Sequence, residues 1–281
     1  MELVERWLSE SGYSLGLGVR LERLAQDSAR LLLPYKEENS NPGKALHGGC
    51  AASLAVIGGQ AVTRAVLGPE AGPWHTCGLQ VNYLSAAIEE GVVAEARLLR
   101  RGKQVCFVET RVETEQGKPI AMATSLVRGR FGAEEPVRVS SHGDEGASDP
   151  GPMGPLIGRV PFMAARKLHI EHMADSHSRI VMPFTDANAD ESGAMHEGAA
   201  LALLDTTGAM ASWAETGPGP YKASTPALQA QILGPPPKDD LIGYGRVIQR
   251  DQDLFFSAVE IASASDARLI ARGTVIYRIV V

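Results

Sequence analysis

The sequence predicts an α+β protein with two domains in one chain, each an antiparallel β-sheet wrapped around a single long α-helix. Three observations carry this expectation. The chain repeats itself at a constant spacing of 149 residues, seen in His47 and His196. Each copy holds one apolar stretch of helix length followed by runs of alternating hydrophobicity. A segment rich in Gly, Pro, Ser and acids separates the copies.

The repeat sets the domain count. ALHGGCAASLAVIGG around His47 lies over AMHEGAALALLDTTG around His196. The same spacing places Pro34 on Pro183, Gly68-Pro69 on Gly217-Pro218, Leu79-Gln80 on Leu228-Gln229, Arg97 on Arg246, Arg101 on Arg250 and Phe107 on Phe256. It holds without an insertion from about residue 22 to about residue 107. Solenoid units are far shorter, so each copy is expected to be a whole domain. The expected boundaries are 1–132, a linker over 133–155, and 156–281. The linker sequence AEEPVRVSSHGDEGASDPGPMGP has no apolar period. Fully extended it would reach roughly 75 Å, enough for the copies to pack side by side.

The elements follow in the same order in each copy. An early strand covers Ala29 to Pro34, and Ser178 to Pro183 in the second copy. A loop containing Gly and Asn leads to a helix of about 20 residues that starts near His47 or His196. Its composition, AASLAVIGGQAVTRAVL or AALALLDTTGAMASWAE, is apolar nearly all round, which marks a buried helix. Strands then follow: CGLQVNYL, VVAEARLL, CFVETRVET and AMATSLVRG, then ALQAQIL, IGYGRVIQ, LFFSAVEIAS and IARGTVIYRIV. The turns EQGK and SASD separate the last two strands of each copy, as hairpins require. One buried helix followed by an antiparallel meander needs a sheet that wraps the helix.

Composition excludes several function classes. The 281 residues are 44% hydrophobic and 21% charged, ordinary for a soluble globular protein. A net charge of -6 argues against a dedicated nucleic-acid binder. The three cysteines, Cys50, Cys77 and Cys106, form no CxxC or Cys/His spacing, so neither a disulfide framework nor a metal site is expected. The opening MELVERWLSESGYSLG has no signal-like apolar run, and no stretch approaches 18 consecutive apolar residues. No membrane span is expected, and a reducing cytoplasm is the simplest location. His75, His169, His172 and His177 read as surface or structural residues.

One long helix in a curled antiparallel sheet, entered through NPGKALHGG at Asn41 to Gly49, resembles the hotdog fold. Within that fold it is similar to the PaaI-like acyl-CoA thioesterases, and the resemblance covers both copies. It implies hydrolysis of an acyl-CoA thioester with no cofactor beyond the coenzyme A of the substrate. In similar enzymes the catalytic carboxylate lies on the central helix, nine residues after the motif His. That position is Asp205 in the second copy but Val56 in the first. The loop has changed the other way. The first copy keeps Asn41, His47, Gly48 and Gly49, whereas the second has Asp190 in place of Asn41 and Glu197 in place of Gly48.

Helix geometry bears on this split. Nine residues at about 100° each turn the chain by about 900°, so the loop and the acid of one copy face opposite sides of their helix. The resemblance implies that the acid comes from the neighbouring unit. Asp205 is then expected to meet Asn41, His47 and Gly48, while Val56 faces Asp190 and Glu197 in an inactive second site. Gly48 would supply an amide to the thioester oxygen, Thr225 a hydroxyl that orients water, and His47 order to the loop. Whether Asp205 acts as nucleophile or as base stays open. Gly102 and Lys103, with Arg101, are candidates for the coenzyme A phosphates, and Gly49 for the substrate. A homodimer of double hotdogs is the expected assembly. The competing readings are a non-catalytic acyl-CoA-binding protein and a hotdog hydratase or dehydratase. The latter would need a D-x-N-x-x-H loop, of which Asp186 and Asn188 give only the beginning.

Overall fold

The computed structural model describes residues 2–130 and 148–281. The first half contains α1 (Glu2–Glu10), α2 (Gly12–Leu17), β1 (Arg20–Leu24), β2 (Ser28–Leu33), α3 (Gly48–Leu67), β3 (Trp74–Tyr83), β4 (Val92–Arg101), β5 (Val105–Thr114) and β6 (Pro119–Gly129). The second contains α4 (Gly154–Ile157), α5 (Pro161–Ala165), β7 (His169–Ala174), β8 (His177–Met182), α6 (Glu197–Thr216), β9 (Lys222–Ile232), β10 (Leu241–Asp251), β11 (Leu254–Ser263) and β12 (Leu269–Val280).

Both expected helices form, and at the same places. Each is capped by its motif His and ends at a glycine: Gly68 at φ 78°, ψ 172°, and Gly217 at φ 79°, ψ 171°. That backbone region is open essentially to glycine alone, which explains why the two positions keep it. Burial drives the rest. Leu54 and Ile57 on α3, and Leu201 and Leu204 on α6, are fully buried, each worth about 2 kcal/mol of transfer free energy. By length and composition α3 could cross a bilayer, yet 83% of its apolar window is buried inside the fold.

All twelve strands among the described residues join one antiparallel sheet, in the order β1-β2-β4-β5-β6-β3-β9-β12-β11-β10-β8-β7. Strand alternation sets the faces. Along β5, Cys106, Val108, Thr110, Val112 and Thr114 are buried, while Phe107, Arg111 and Glu113 point outward. The halves meet where β3 pairs with β9, from Gly78 opposite Gln231 to Asn82 opposite Ala227. Gln80 lies opposite Gln229, its own repeat partner, so a pseudo-two-fold axis runs through that pair.

Two features depart from the sequence reading. Strands β1 and β7 extend the sheet by one strand at each edge, before the first strand expected in each half, through hairpins onto β2 and β8. Most of the expected linker, 133–147, lies outside the described residues. Its remainder is bound to the second half: the Met173 N–H donates to the Asp149 carbonyl at 2.7 Å, and α4 already starts at Gly154. The segments before β1 and β7 also cross between halves. α2 docks on the loop before α6, and α5 docks on the loop before α3, with Tyr13 N–H donating to Ala189 O at 2.9 Å and Phe162 N–H to Ser40 O at 3.2 Å.

Candidate active site

The start of α3 is built to expose one amide. The first N–H groups of a helix lack partners inside it. Here His47 caps the helix from an extended backbone, and its Nδ1 accepts the Gly49 N–H at 3.0 Å. The Cys50 N–H reaches the His47 carbonyl at 2.9 Å. The Gly48 N–H, between them, has no acceptor among the described residues. His47 is itself pinned, since its N–H donates to the Asn39 carbonyl at 2.9 Å. Burial, with the nearby Arg166 guanidinium, holds its imidazole down to about 3, so the ring is a neutral acceptor.

Small residues bring the second half to this point. A Cβ on Gly49 would sit 2.6 Å from the Ala202 Cβ, and one on Gly198 would sit 2.8 Å from the Ser53 Oγ. These are symmetry-related contacts, and they let α3 and α6 cross closely at their N-termini. Asp205, about one turn beyond Ala202, is thereby carried to Gly48. Its Oδ2 lies 2.7 Å from where a Cβ on Gly48 would be. Glycine is required there by space rather than by dihedral angle. The other oxygen, Oδ1, accepts the Thr225 hydroxyl at 2.9 Å.

Asp205 is only 4% exposed, and burial raises its carboxyl to about 6, partly opposed by the Thr225 hydrogen bond. Tyr83, at the end of β3, completes the wall. Its hydroxyl donates to the Gly48 carbonyl at 3.1 Å, and its ring lies 3.5 Å from the same Cβ position. Burial and the Asp205 charge push this phenol well above its ordinary range. Sequence reasoning missed Tyr83. The available signal was its repeat partner, Ile232, which has no hydroxyl.

The structure thus brings together Asp205, Gly48, Thr225 and the capping His47. Other candidates lie elsewhere. Gly49 is a packing and capping position, its amide committed to His47 and its Cα pressed on Ala202. Asn41 closes the loop through its backbone, its N–H donating to Ala45 O at 2.8 Å. Its side chain is not part of the hydrogen-bond set around Asp205. Arg101, Gly102 and Lys103 form the β4–β5 turn, which the strand registers place at the Trp74 and Gly129 end of the sheet. Gly48 lies beside Tyr83, at the opposite end of β3. The antiparallel meander thus separates the turn expected to bind the coenzyme A phosphates from the Gly48 amide by the length of β3. A groove of about 340 Å³ over β9 to β12, lined by Gln229, Arg246, Glu260 and Arg272, also lies apart from Asp205 and Gly48.

At the pseudo-symmetric position the site is filled. Glu197, the counterpart of Gly48, turns its carboxylate inward, where it accepts the Thr76 N–H at 3.1 Å and the Gln60 amide at 2.8 Å. His75 Nδ1 lies 3.2 Å away. Gln60 in turn accepts from Arg64 at 2.7 Å, and Arg64 reaches Glu191 at 2.9 Å beneath the rings of Trp7 and Trp74. Val56, the counterpart of Asp205, is fully buried. Asp190 caps its own loop through Ser192 and Ala194. Asn188, from the partial hydratase string, is buried and bonded to the Pro183 and Arg166 carbonyls, a structural role.

Comparison with known proteins agrees with this architecture. Residues 36–128 match the sequence pattern of the acyl-CoA thioesterase N-terminal domain. A Halobacterium salinarum protein, provisionally named an esterase, is 34% identical over 132 residues, covering 46% of this chain and 87% of that one. A hot dog fold protein from Alicyclobacillus acidocaldarius superposes over 98% of both chains with a TM-score of 0.65 at 18% identity. The tesB protein of Mycobacterium avium subsp. paratuberculosis superposes over 100% of this chain and 99% of that one, with a TM-score of 0.63 at 12% identity. The chain belongs to the hotdog-fold acyl-CoA thioesterase family and carries two copies of its fold.

Proposed function

We propose that the protein hydrolyses acyl-CoA thioesters to free acid and coenzyme A at one composite site, with the acid from the second half and the amide from the first. The observation that carries this reading is the Asp205 carboxylate held against the Gly48 Cα at the start of α3. The substrate carbonyl oxygen takes the Gly48 N–H, where the positive end of the helix dipole favours developing negative charge. Thr225 fixes Oδ1, which leaves Oδ2 directed toward the carbonyl carbon. Oδ2 either attacks that carbon, forming an acyl anhydride that water then opens, or removes a proton from an attacking water. Either route expels the coenzyme A thiolate. A carboxyl near 6 is ionised at neutral pH yet remains a competent base.

Glu197 supports a single site per chain, since its carboxylate occupies the place a thioester would need in the other half. The test is thiol release from a panel of acyl-CoAs with Asp205→Asn as control. A loss of two or more orders of magnitude in kcat is expected; near-normal turnover in a folded variant would overturn the reading. A single turnover in ¹⁸O-water tests the anhydride route: label in Asp205 requires an anhydride opened by water at the Asp205 carbonyl carbon, whereas general-base hydrolysis puts the label in the product acid alone. The acyl-CoA-binding alternative predicts thermal stabilisation by acyl-CoA without thiol release. The proposed assembly, a homodimer of double hotdogs, is checked by light scattering.

A further inference from the structure

We propose that Phe162, on the segment that crosses from the second half, is a positioning residue for the reaction and acts through His47. This rests on the thioesterase reading above. The Phe162 ring lies flat on the His47 imidazole, with centroids 4.1 Å apart and planes 9° apart. His47 is the only described partner of the Gly49 N–H, and the two neighbouring amides share one rigid helix start. A ring held in this plane keeps Nδ1 on Gly49 and so fixes the direction of the Gly48 N–H. Phe162 is fully buried and held by its own N–H to Ser40 O at 3.2 Å, with the Arg166 guanidinium over its face at 5.3 Å.

The other half supplies an internal control. Tyr13, the repeat partner of Phe162, stacks on His196 at 4.8 Å and 27°. It too is fully buried, and its hydroxyl lies 2.9 Å from Ser53 Oγ. His196 caps α6 as His47 caps α3, its Nδ1 accepting the Gly198 N–H at 2.8 Å. The loop it orders leads into Glu197 and the filled site. Both aromatic residues should matter for stability, and only Phe162 for turnover. Tyr13→Leu removes a hydrogen bond as well as a ring, so it should damage the fold at least as much.

The experiment compares Phe162→Leu, Phe162→Tyr and Tyr13→Leu in the full chain by thermal unfolding, kcat, KM, and amide exchange at Gly49 and Gly198. Phe162→Leu is expected to lower kcat about tenfold with KM within about twofold, because a slight misdirection of the amide affects the transition state more than binding. It should also speed Gly49 exchange. Phe162→Tyr keeps the ring but buries a hydroxyl opposite Ala202, where the other half has Ser53. It should unfold earlier while kcat stays within about threefold of the parent. Tyr13→Leu should speed exchange at Gly198 and leave kcat alone. The inference is overturned if kcat follows thermal stability across all three variants, or if Gly49 exchange ignores Phe162→Leu. Full turnover by Asp205→Asn would instead remove Asp205 as the acid of the composite site, with Gly49 exchange still deciding whether Phe162 holds the cap.

Discussion

Replacing Asp205 with Asn should move stability in favour of the variant over the parent as pH rises toward neutrality, while nearly abolishing turnover. The folded carboxyl titrates near 6 against an ordinary 3.8, because it is buried with only the Thr225 hydroxyl as a charge-favouring partner. The folded state therefore binds more protons than the unfolded state between these values. Stability contributed by the protonated group is present at low pH and is lost as pH rises through about 6. A difference of this size corresponds to about 3 kcal/mol, of which about 2 kcal/mol falls between pH 4.5 and 7.5. Asparagine does not titrate, so the gap between variant and parent should move in favour of the variant by about 2 kcal/mol over that range. Urea unfolding at both pH values measures it, and any constant packing effect of the new amide cancels. The kcat/KM of the parent should rise with an apparent pKa near 6 as Asp205 ionises. A gap that does not change with pH would refute a buried, electrostatically isolated carboxylate, and with it the basis of the catalytic argument.

Other expectations follow from the same geometry. Gly48→Ala places a methyl 2.7 Å from the Asp205 Oδ2 and 3.5 Å from the Tyr83 ring, so kcat should fall at least a hundredfold in a folded protein, as thiol release will measure. Thr225→Val removes the bond that favours the ionised carboxylate, and should shift the acid limb of the kcat/KM profile to higher pH. Glu197→Gly strips the acceptor from the Thr76 N–H and from Gln60, and should cost about 2 to 4 kcal/mol in urea unfolding without lowering turnover. His47 and His196 are buried and depressed to about 3 and about 4, so their contribution to stability is complete at neutral pH and is lost as pH falls below about 6.5. From pH 7 to pH 5 each should give up about 2 kcal/mol and Asp205 should return about 1, a net weakening that calorimetry at the two pH values will reveal.

Much of this was legible in the sequence, for physical reasons that can be named. A helix buried on every side must be apolar on every side, so α3 and α6 announced themselves by composition. A 149-residue spacing identified Asp205 and Val56 as counterparts, and the half-turn between position 47 and position 56 separated loop from acid. What escaped were the contacts of the short segments before β1 and β7, and whatever depended on strand direction. Tyr13 and Phe162 obey the same spacing, but they lie before the stretch where the repeat is obvious, in segments too short to show periodicity. The place of the Arg101–Lys103 turn could not be read from its charge, which is local, because its position depends on strand direction across three pairings. Tyr83 gave only the faint signal of its repeat partner Ile232, because an aromatic residue ending a strand is common, and its closeness to Gly48 is what gives it weight.

The seam between β3 and β9 has a consequence for how such a protein can change. In a dimer of identical subunits, a glutamate in place of the first glycine of the helix would appear at both mouths together and fill them both. Here the halves are inherited as one polypeptide, so the same replacement touches a single mouth. The freed half can trade chemistry for cohesion, turning its vacated mouth into a polar rivet through Glu197, Gln60 and Arg64 that fastens it to its neighbour.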